Sequence, residues 1–162
     1  MKLLLLCFML LLIQPIYSAP IDDATFKQVM LIADDLGVPR SVAARLMYEE
    51  SGNPGLGNPL AKGDEPTGWL SLGLYQIHTK PSNLNYLVNK YYYGKRYTVP
   101  FNIFDPIHNA TVALGYLADK HTKLGTWYHA CCFYNCGRVK NIPERTKAYA
   151  MRIISAPEVN LD

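Results

Sequence analysis

Cysteine is scarce and badly placed for cross-linking: four residues in a chain of 162 cannot build the disulfide framework of a small secreted scaffold. Cys7 sits in an apolar leader. The other three, Cys131, Cys132 and Cys136, are an odd number crowded into one predicted helix, where neighbouring side chains do not meet disulfide geometry. No His or Cys pair near them has zinc-site spacing, so they read as small buried residues, and neither a metal nor a cofactor is expected. Charge of one sign is also in short supply. Sixteen Lys and Arg against thirteen Asp and Glu leave a formal charge of +3, far from the clustered basic footprint of a nucleic-acid binder. The longest apolar run, Leu3 to Ile13, is too short to serve as a permanent membrane anchor. No internal repeat or low-complexity tract is present, and the length suits one domain with a proper core.

What is present at the N-terminus is a leader. Lys2 precedes the apolar run, Gln14-Pro15 breaks it, and Ser18-Ala19 supplies small residues for cleavage. Together these describe a secretory signal peptide over residues 1–19. The expected mature chain, 20–162, is then exported to the periplasm or the outside and is soluble. Without Lys2 it keeps fifteen basic residues against thirteen acidic ones, a formal charge of +2. That balance suits an acidic polymer such as a cell wall without demanding one.

Helix signals dominate the mature chain. Asp22 or Asp23 can cap a helix carrying Phe26, Val29, Met30, Ala33 and Leu36, with Gly37 placed to end it. A second helix starts around Pro39 or Ser41 and runs to Glu50-Ser51, where Gly52-Asn53-Pro54 stops it. Residues 52–68, with five Gly, three Pro and two Asn, read as a loop. The alternation of Leu70, Leu72 and Leu74 between Trp69 and Ile77 predicts a short strand or hairpin with its turn at Gly73. A helix is predicted over 82–93, and the tyrosines from Tyr86 to Tyr97 read as packing residues with polar tips. Asp105-Pro106 is a strong helix start, followed by a buried face of Ile107, Ala110, Leu114, Leu117, His121 and Leu124. Thr126 caps the next helix, which stops at Gly137, and Pro143 opens the last, with Tyr149, Ile153 and Ile154.

One carboxyl group stands apart from this framework. Ala43, Leu46, Met47 and Glu50 fall at i, i+3, i+4 and i+7, so Glu50 ends an apolar stripe. Removal from water penalises the charged form and equips a carboxyl group to donate a proton near neutral pH. On spacing alone, Glu49 and Glu50 read equally well as two solvated acids at a frayed helix end. The motifs downstream change the reading.

Glu50-Ser51, then Gly73-Leu74-Tyr75-Gln76-Ile77, then Phe133-Tyr134-Asn135-Cys136-Gly137, then Arg145 and Tyr149 follow one another in the order of four motifs of a known family. The chain resembles the lytic transglycosylase SLT domain, a member of the lysozyme-like superfamily, over roughly residues 24–154. The helix opened by Asp105-Pro106, with Asn109, Ala113 and Tyr116-Leu117, is similar to the one that family places between its second and third motifs. The fold this implies is mainly α (α+β lysozyme-like), a single helical domain with a small β or irregular element beside the cleft.

The resemblance also implies an activity and roles. The reaction would cleave the β-1,4 bond between N-acetylmuramic acid and N-acetylglucosamine in peptidoglycan glycan strands, with Glu50 as general acid and then base. Ser51 and Gln76 would hydrogen-bond the sugars, Tyr134 and Asn135 would line the floor, and Tyr149 would orient Glu50 through its hydroxyl. Tyr75 stands where the family usually has methionine, a bulky exchange that keeps a cleft-lining contact. Cys132 and Cys136 stand where it usually has alanine. An extra cleft loop is expected around 58–67. The best candidates for a second acid, Asp64 and Glu65, match no family motif, while Asp105 is committed to a helix cap. A monomer is expected. The lack of a wall-anchoring module points toward local action, with a cell-envelope secretion or conjugation apparatus among the partners allowed.

Three other readings compete. A goose-type-lysozyme-like muramidase would add water instead, and a non-catalytic module would bind the glycan without cleaving it. Ala33, Gly37, Val38 and Val42 also reproduce helix-turn-helix spacing, with Arg40 and Arg45 on the supposed recognition helix. Export, the small basic excess and the unexplained downstream motifs argue against nucleic acid as a partner.

Overall fold

Helix starts in this chain are set by side-chain acceptors and prolines, as the sequence suggests. The computed structural model describes residues 20–52, 62–63, 68–95 and 98–161. Helix α1 spans Asp23–Asp35, and Asp22 accepts from the Thr25 N–H to cap it. Helix α2 spans Arg40–Ser51 behind Pro39. A three-stranded antiparallel sheet of two-residue strands follows: β1 Lys62–Gly63, β2 Ser71–Leu72 and β3 Ile77–His78. Leu72 pairs with both Lys62 and Ile77, so β2 is the centre strand. The hairpin expected between Trp69 and Ile77 is therefore present. The leader lies outside the described residues, as does most of the segment read as a loop after Gly52.

Helix α3 spans Pro81–Leu87 and continues as a π-helical turn, Val88–Tyr92, and a 3-10 turn, Tyr93–Lys95. The single helix expected over 82–93 is thus corrected: its second half widens into a π turn, in which Tyr91 and Tyr92 are both buried. Tyr86 and Tyr93 stay exposed.

Helix α4, Pro106–Leu124, is the centre of the molecule. Asp105 caps it through the Ile107 and His108 N–H groups. Residues 109 through 115 are all buried, the pattern of a helix surrounded on every side. Its expected stripe holds at Ala110, Leu114 and Leu117, while Ile107, His121 and Leu124 are half-covered. Helix α4 contacts α1, the π turn and α5, Trp127–Cys136, which Thr126 caps. The last helix, α6, spans Glu144–Ile154 and packs on α5 and α2. Ile153 is buried, whereas Ile154, expected inside, is 36% exposed; it sits one residue around the helix from the stripe of Thr146, Tyr149, Ala150 and Ile153.

Cys131 and Cys132 are fully buried and Cys136 partly so, and all three are free thiols. The apparent helix-turn-helix is internal packing: Ala33, Val38 and Val42 are buried, Arg40 is paired with Asp34 and Arg45 with Glu49. Among the described residues no helix is long and apolar enough to cross a membrane.

Candidate active site

The site begins where α2 stops. Gly52 takes a left-handed conformation, φ 64°, and its N–H bonds to the Tyr48 carbonyl, which ends the helix one residue past Ser51. Ala43, Leu46 and Met47 are fully buried, so the stripe read in the sequence does deliver Glu50, half-buried, to the edge of the core. Ser51 Oγ donates to the Met47 carbonyl at 2.7 Å. Its proton is therefore held by its own helix, and only its lone pairs remain to meet a ligand.

Helix α6 reads the end of α2 and the end of α5 with side chains three residues apart. Thr146, 1% exposed, donates its hydroxyl to Asn135 Oδ1 at 2.7 Å. Tyr149 donates its hydroxyl to Glu50 Oε1. Arg152 donates to Glu49, Nε to Oε1 at 3.0 Å and Nη2 to Oε2 at 2.8 Å. Residues three apart share a helix face, which is why one helix can fix three groups in a row.

The two adjacent acids are consequently in opposite surroundings. Glu49, with its side chain 11% exposed, lies between Arg152 and Arg45, whose Nη2 is 2.7 Å from Oε1. The Arg152 guanidinium first, and Arg45 with it, holds this carboxyl below the usual range despite the opposing effect of burial. Glu49 is thus a structural anion with no proton to give at neutral pH, not one of two solvated acids. Glu50 instead faces a neutral phenol. Burial, followed by the Glu50 charge, pushes the Tyr149 hydroxyl well above its ordinary value, and the same two causes act on Tyr134. Cys131 is pushed up to about 12 by burial, then by the charges of Cys132 and Glu50. All three neighbours stay protonated around Glu50 at neutral pH.

The second motif forms a turn that only a few residue types could form. Gly73 has φ 82°, and a Cβ there would lie 2.2 Å from Asn109 Nδ2 and 2.4 Å from the Ile103 carbonyl. Asn109, fully buried, uses its whole amide: Oδ1 accepts from Tyr75 N at 2.8 Å, and Nδ2 donates to the Leu72 and Ile103 carbonyls at 3.2 and 2.8 Å. The central helix thereby holds the turn by its backbone. Gln76 is left-handed too, φ 52°, and its Nε2 donates to the Gly73 carbonyl at 3.0 Å. It is no ordinary strand residue.

This geometry corrects the place given to Tyr75. Its side chain is wholly buried and its hydroxyl donates to the Ala43 carbonyl at 3.1 Å, because the turn directs residue 75 inward and residue 76 toward the cleft. Tyr75 lines no cleft surface; it ties the turn to α2 from behind, and its carbonyl accepts the Tyr134 hydroxyl at 2.7 Å. The Tyr134 hydroxyl is therefore committed, and it is the ring that faces the cleft.

Gln76 and Tyr134 line a cavity of about 110 Å³ together with Ile77, His78, Asn83, Leu87, Ala113 and Tyr116. His78 and Asn83 were not singled out from the sequence; His78 lies two residues beyond Gln76 in an alternating segment, the one signal that could have found it. Tyr116 and Tyr134 stack at a tilt, with centroids 5.9 Å apart. Asn135 is exposed, and with Oδ1 taken by Thr146 its amide N–H groups are what it offers a ligand. Asp64 and Glu65 lie outside the described residues. The histidines are dispersed: His121 stacks on Trp127, His129 meets Thr126 and His108 meets Tyr92. Among the described residues no group of three His, Cys, Asp or Glu could hold a metal ion.

Comparison with known proteins identifies the family and the fold. Residues 31–155 match the family of the Transglycosylase SLT domain. No protein with a curated description matches the sequence. Among solved structures, an inactive mutant of the lytic transglycosylase Slt from Pseudomonas aeruginosa is similar, with a TM-score of 0.59 and 16% identity; the likeness covers 80% of this chain and 22% of that one. The present chain thus spans about a fifth of the length of that enzyme. At this identity the likeness shows the fold, mainly helical and lysozyme-like.

Proposed function

We propose that this chain, which belongs to the Transglycosylase SLT domain family, is a peptidoglycan lytic transglycosylase. It cleaves the β-1,4 bond between N-acetylmuramic acid and N-acetylglucosamine and leaves a 1,6-anhydro end on the muramyl residue. The observation that carries this reading is the division of labour between neighbouring acids: Glu49 is neutralised by Arg45 and Arg152, and Glu50 meets a tyrosine hydroxyl at the edge of the core.

The chemistry needs one carboxyl group that changes role. Protonated Glu50 gives its proton to the glycosidic oxygen as the C1–O bond breaks, and the oxocarbenium-like centre that forms is held over the ring floor. The resulting carboxylate then takes the proton of the muramyl C6 hydroxyl, whose oxygen bonds to C1. Glu50 ends as it began, protonated, and no water is added. Tyr149, protonated at every working pH because of its raised pKa, donates to Oε1 in both steps and keeps the carboxyl group aimed. Gln76, Asn135 and the ring of Tyr134 bind the sugars, while Tyr75 supports that floor from behind.

A wall substrate agrees with the export signal read in residues 1–19, so the enzyme works in the periplasm or outside the cell, acting as a monomer. Local opening of the wall for a cell-envelope secretion or conjugation apparatus is a process that this activity would serve. Glu50→Gln tests the reading: it keeps shape and hydrogen bonding but cannot cycle a proton, so cleavage should fall by roughly a thousandfold with fold and glycan binding retained. Undiminished wall lysis by that variant would refute it.

A further inference from the structure

The cleft wall formed by α4 ends in an unusual collection of lysines. Ala113 and Tyr116 line the cavity, and Lys120 follows one turn later on the same face. Its ammonium stands 4.1 Å from the centre of the Phe133 ring and 4.9 Å from that of Tyr116. One of these rings belongs to the cavity lining: Tyr116 lines it beside Tyr134, against which it packs.

Anions nearby are too few. Asp119 is shared by Lys90, at 3.2 Å, and Lys123, at 2.8 Å, and it is lowered to about 2, by the Lys123 contact first. Among the described residues no carboxylate lies within ion-pair distance of Lys120. Two ammonium groups therefore share one carboxylate, and that of Lys120 rests on aromatic rings instead. Burial, then repulsion from Lys123, disfavours the charged form of Lys120, and the more distant Asp119 charge offsets this only in part. Aromatic faces recover part of the cost but accept no strong hydrogen bond from the three N–H donors.

We propose that Lys120 is a carboxylate-binding residue at the end of the glycan cleft, taking the carboxylate that a muramyl residue bears on its lactyl group or on its peptide stem. This rests on the reading of the substrate as peptidoglycan. In such a strand the two sugars alternate, and only one of them carries an acid. A fixed cation one helical turn beyond the cleft wall distinguishes them and sets the register in which a strand lies against Glu50.

The test uses the non-cleaving Glu50→Gln chain and three ligands: uncharged chitin oligosaccharides, glycan strands stripped of stems and bearing free lactyl carboxylates, and stem-bearing strands. Binding to at least one anionic ligand should be tighter than to chitin and weaken with salt. Adding Lys120→Met should lower that affinity roughly fivefold, the scale of one partly desolvated ion pair, bring the anionic-to-neutral ratio close to one and flatten the salt dependence. Lys120→Arg should restore most of it. An effect on stripped strands assigns the lactyl carboxylate; an effect confined to stem-bearing strands assigns the stem. An unchanged ratio in folded Lys120→Met would overturn the role of Lys120 while leaving the substrate reading intact. Failure of the Glu50→Gln chain to bind any of the three would overturn both.

Discussion

Tyr149 donates its hydroxyl to Oε1 of Glu50 across ninety-nine positions of chain, joining the last helix to the end of the second. Tyr149→Phe removes only that donor, leaving the ring in place. A hydrogen bond to a charged or charging group is worth about 1.5–3 kcal/mol, so kcat should fall roughly ten- to a hundredfold with little change in KM or in melting temperature. Full activity in the phenylalanine variant would remove Tyr149 from the mechanism.

Arg152 is the main cause of the lowered pKa of Glu49. A carboxyl group whose pKa is lower in the folded than in the unfolded state contributes stability that is fully present above the unfolded value and lost as pH falls through the folded one. Arg152→Met should destabilise the protein by about 1 kcal/mol near neutrality, since the pair is partly exposed. The gap to the unaltered protein should narrow as pH falls below the ordinary carboxylate range. Denaturant titrations at neutral pH and at about pH 3 check this; a gap that stays constant would show that the guanidinium acts through packing alone.

The turn that carries Gln76 depends on Gly73 and Asn109. Gly73→Ala must place a Cβ 2.2 Å from the Asn109 amide at a positive φ, and Asn109→Ala strands one buried N–H and two partly buried carbonyls. Each should cost about 3 kcal/mol and abolish activity by displacing the cleft wall, measured by thermal melting and wall lysis. A melting temperature within a degree or two of the unaltered protein would contradict the role given to this contact.

Thr146→Val is nearly isosteric and deletes the hydroxyl that holds Asn135 Oδ1. The freed amide loses its fixed orientation, so KM for glycan strands should rise roughly threefold to tenfold, the worth of one neutral hydrogen bond, with kcat less affected. A fall in kcat at constant KM would assign Asn135 to the chemistry instead.

Local punctuation in this chain is written in single residues, and there sequence and structure agree. Asp22, Asp105 and Thr126 each accept from the backbone N–H groups of the helix they precede, and Gly37, Gly52 and Gly137 stand left-handed at helix ends. The apolar stripe leading to Glu50 was equally readable, since helical period alone decides it. The pairing of Glu49 with Arg152 was not: those residues are 103 positions apart, and nothing local tells which of two adjacent acids a distant guanidinium will take. Tyr75 went astray for a related reason. Its motif position suggested a cleft contact, but the positive φ angles at Gly73 and Gln76 decide which way a turn faces, and an alternating pattern does not carry that information. The π turn at Val88–Tyr92 likewise has no mark in the apolar period, which continues unbroken through Leu84, Leu87, Val88 and Tyr91.

The masses of the products released from purified peptidoglycan test the central claim most directly. Glu50 acting alone as acid and then base requires that the C6 hydroxyl, not water, close onto the anomeric carbon. The predicted products are muramyl ends in the 1,6-anhydro form, each lighter by one water than its hydrolysed counterpart. Reducing muramyl ends alone would contradict it and assign the chain the water-adding chemistry of a goose-type-lysozyme-like muramidase.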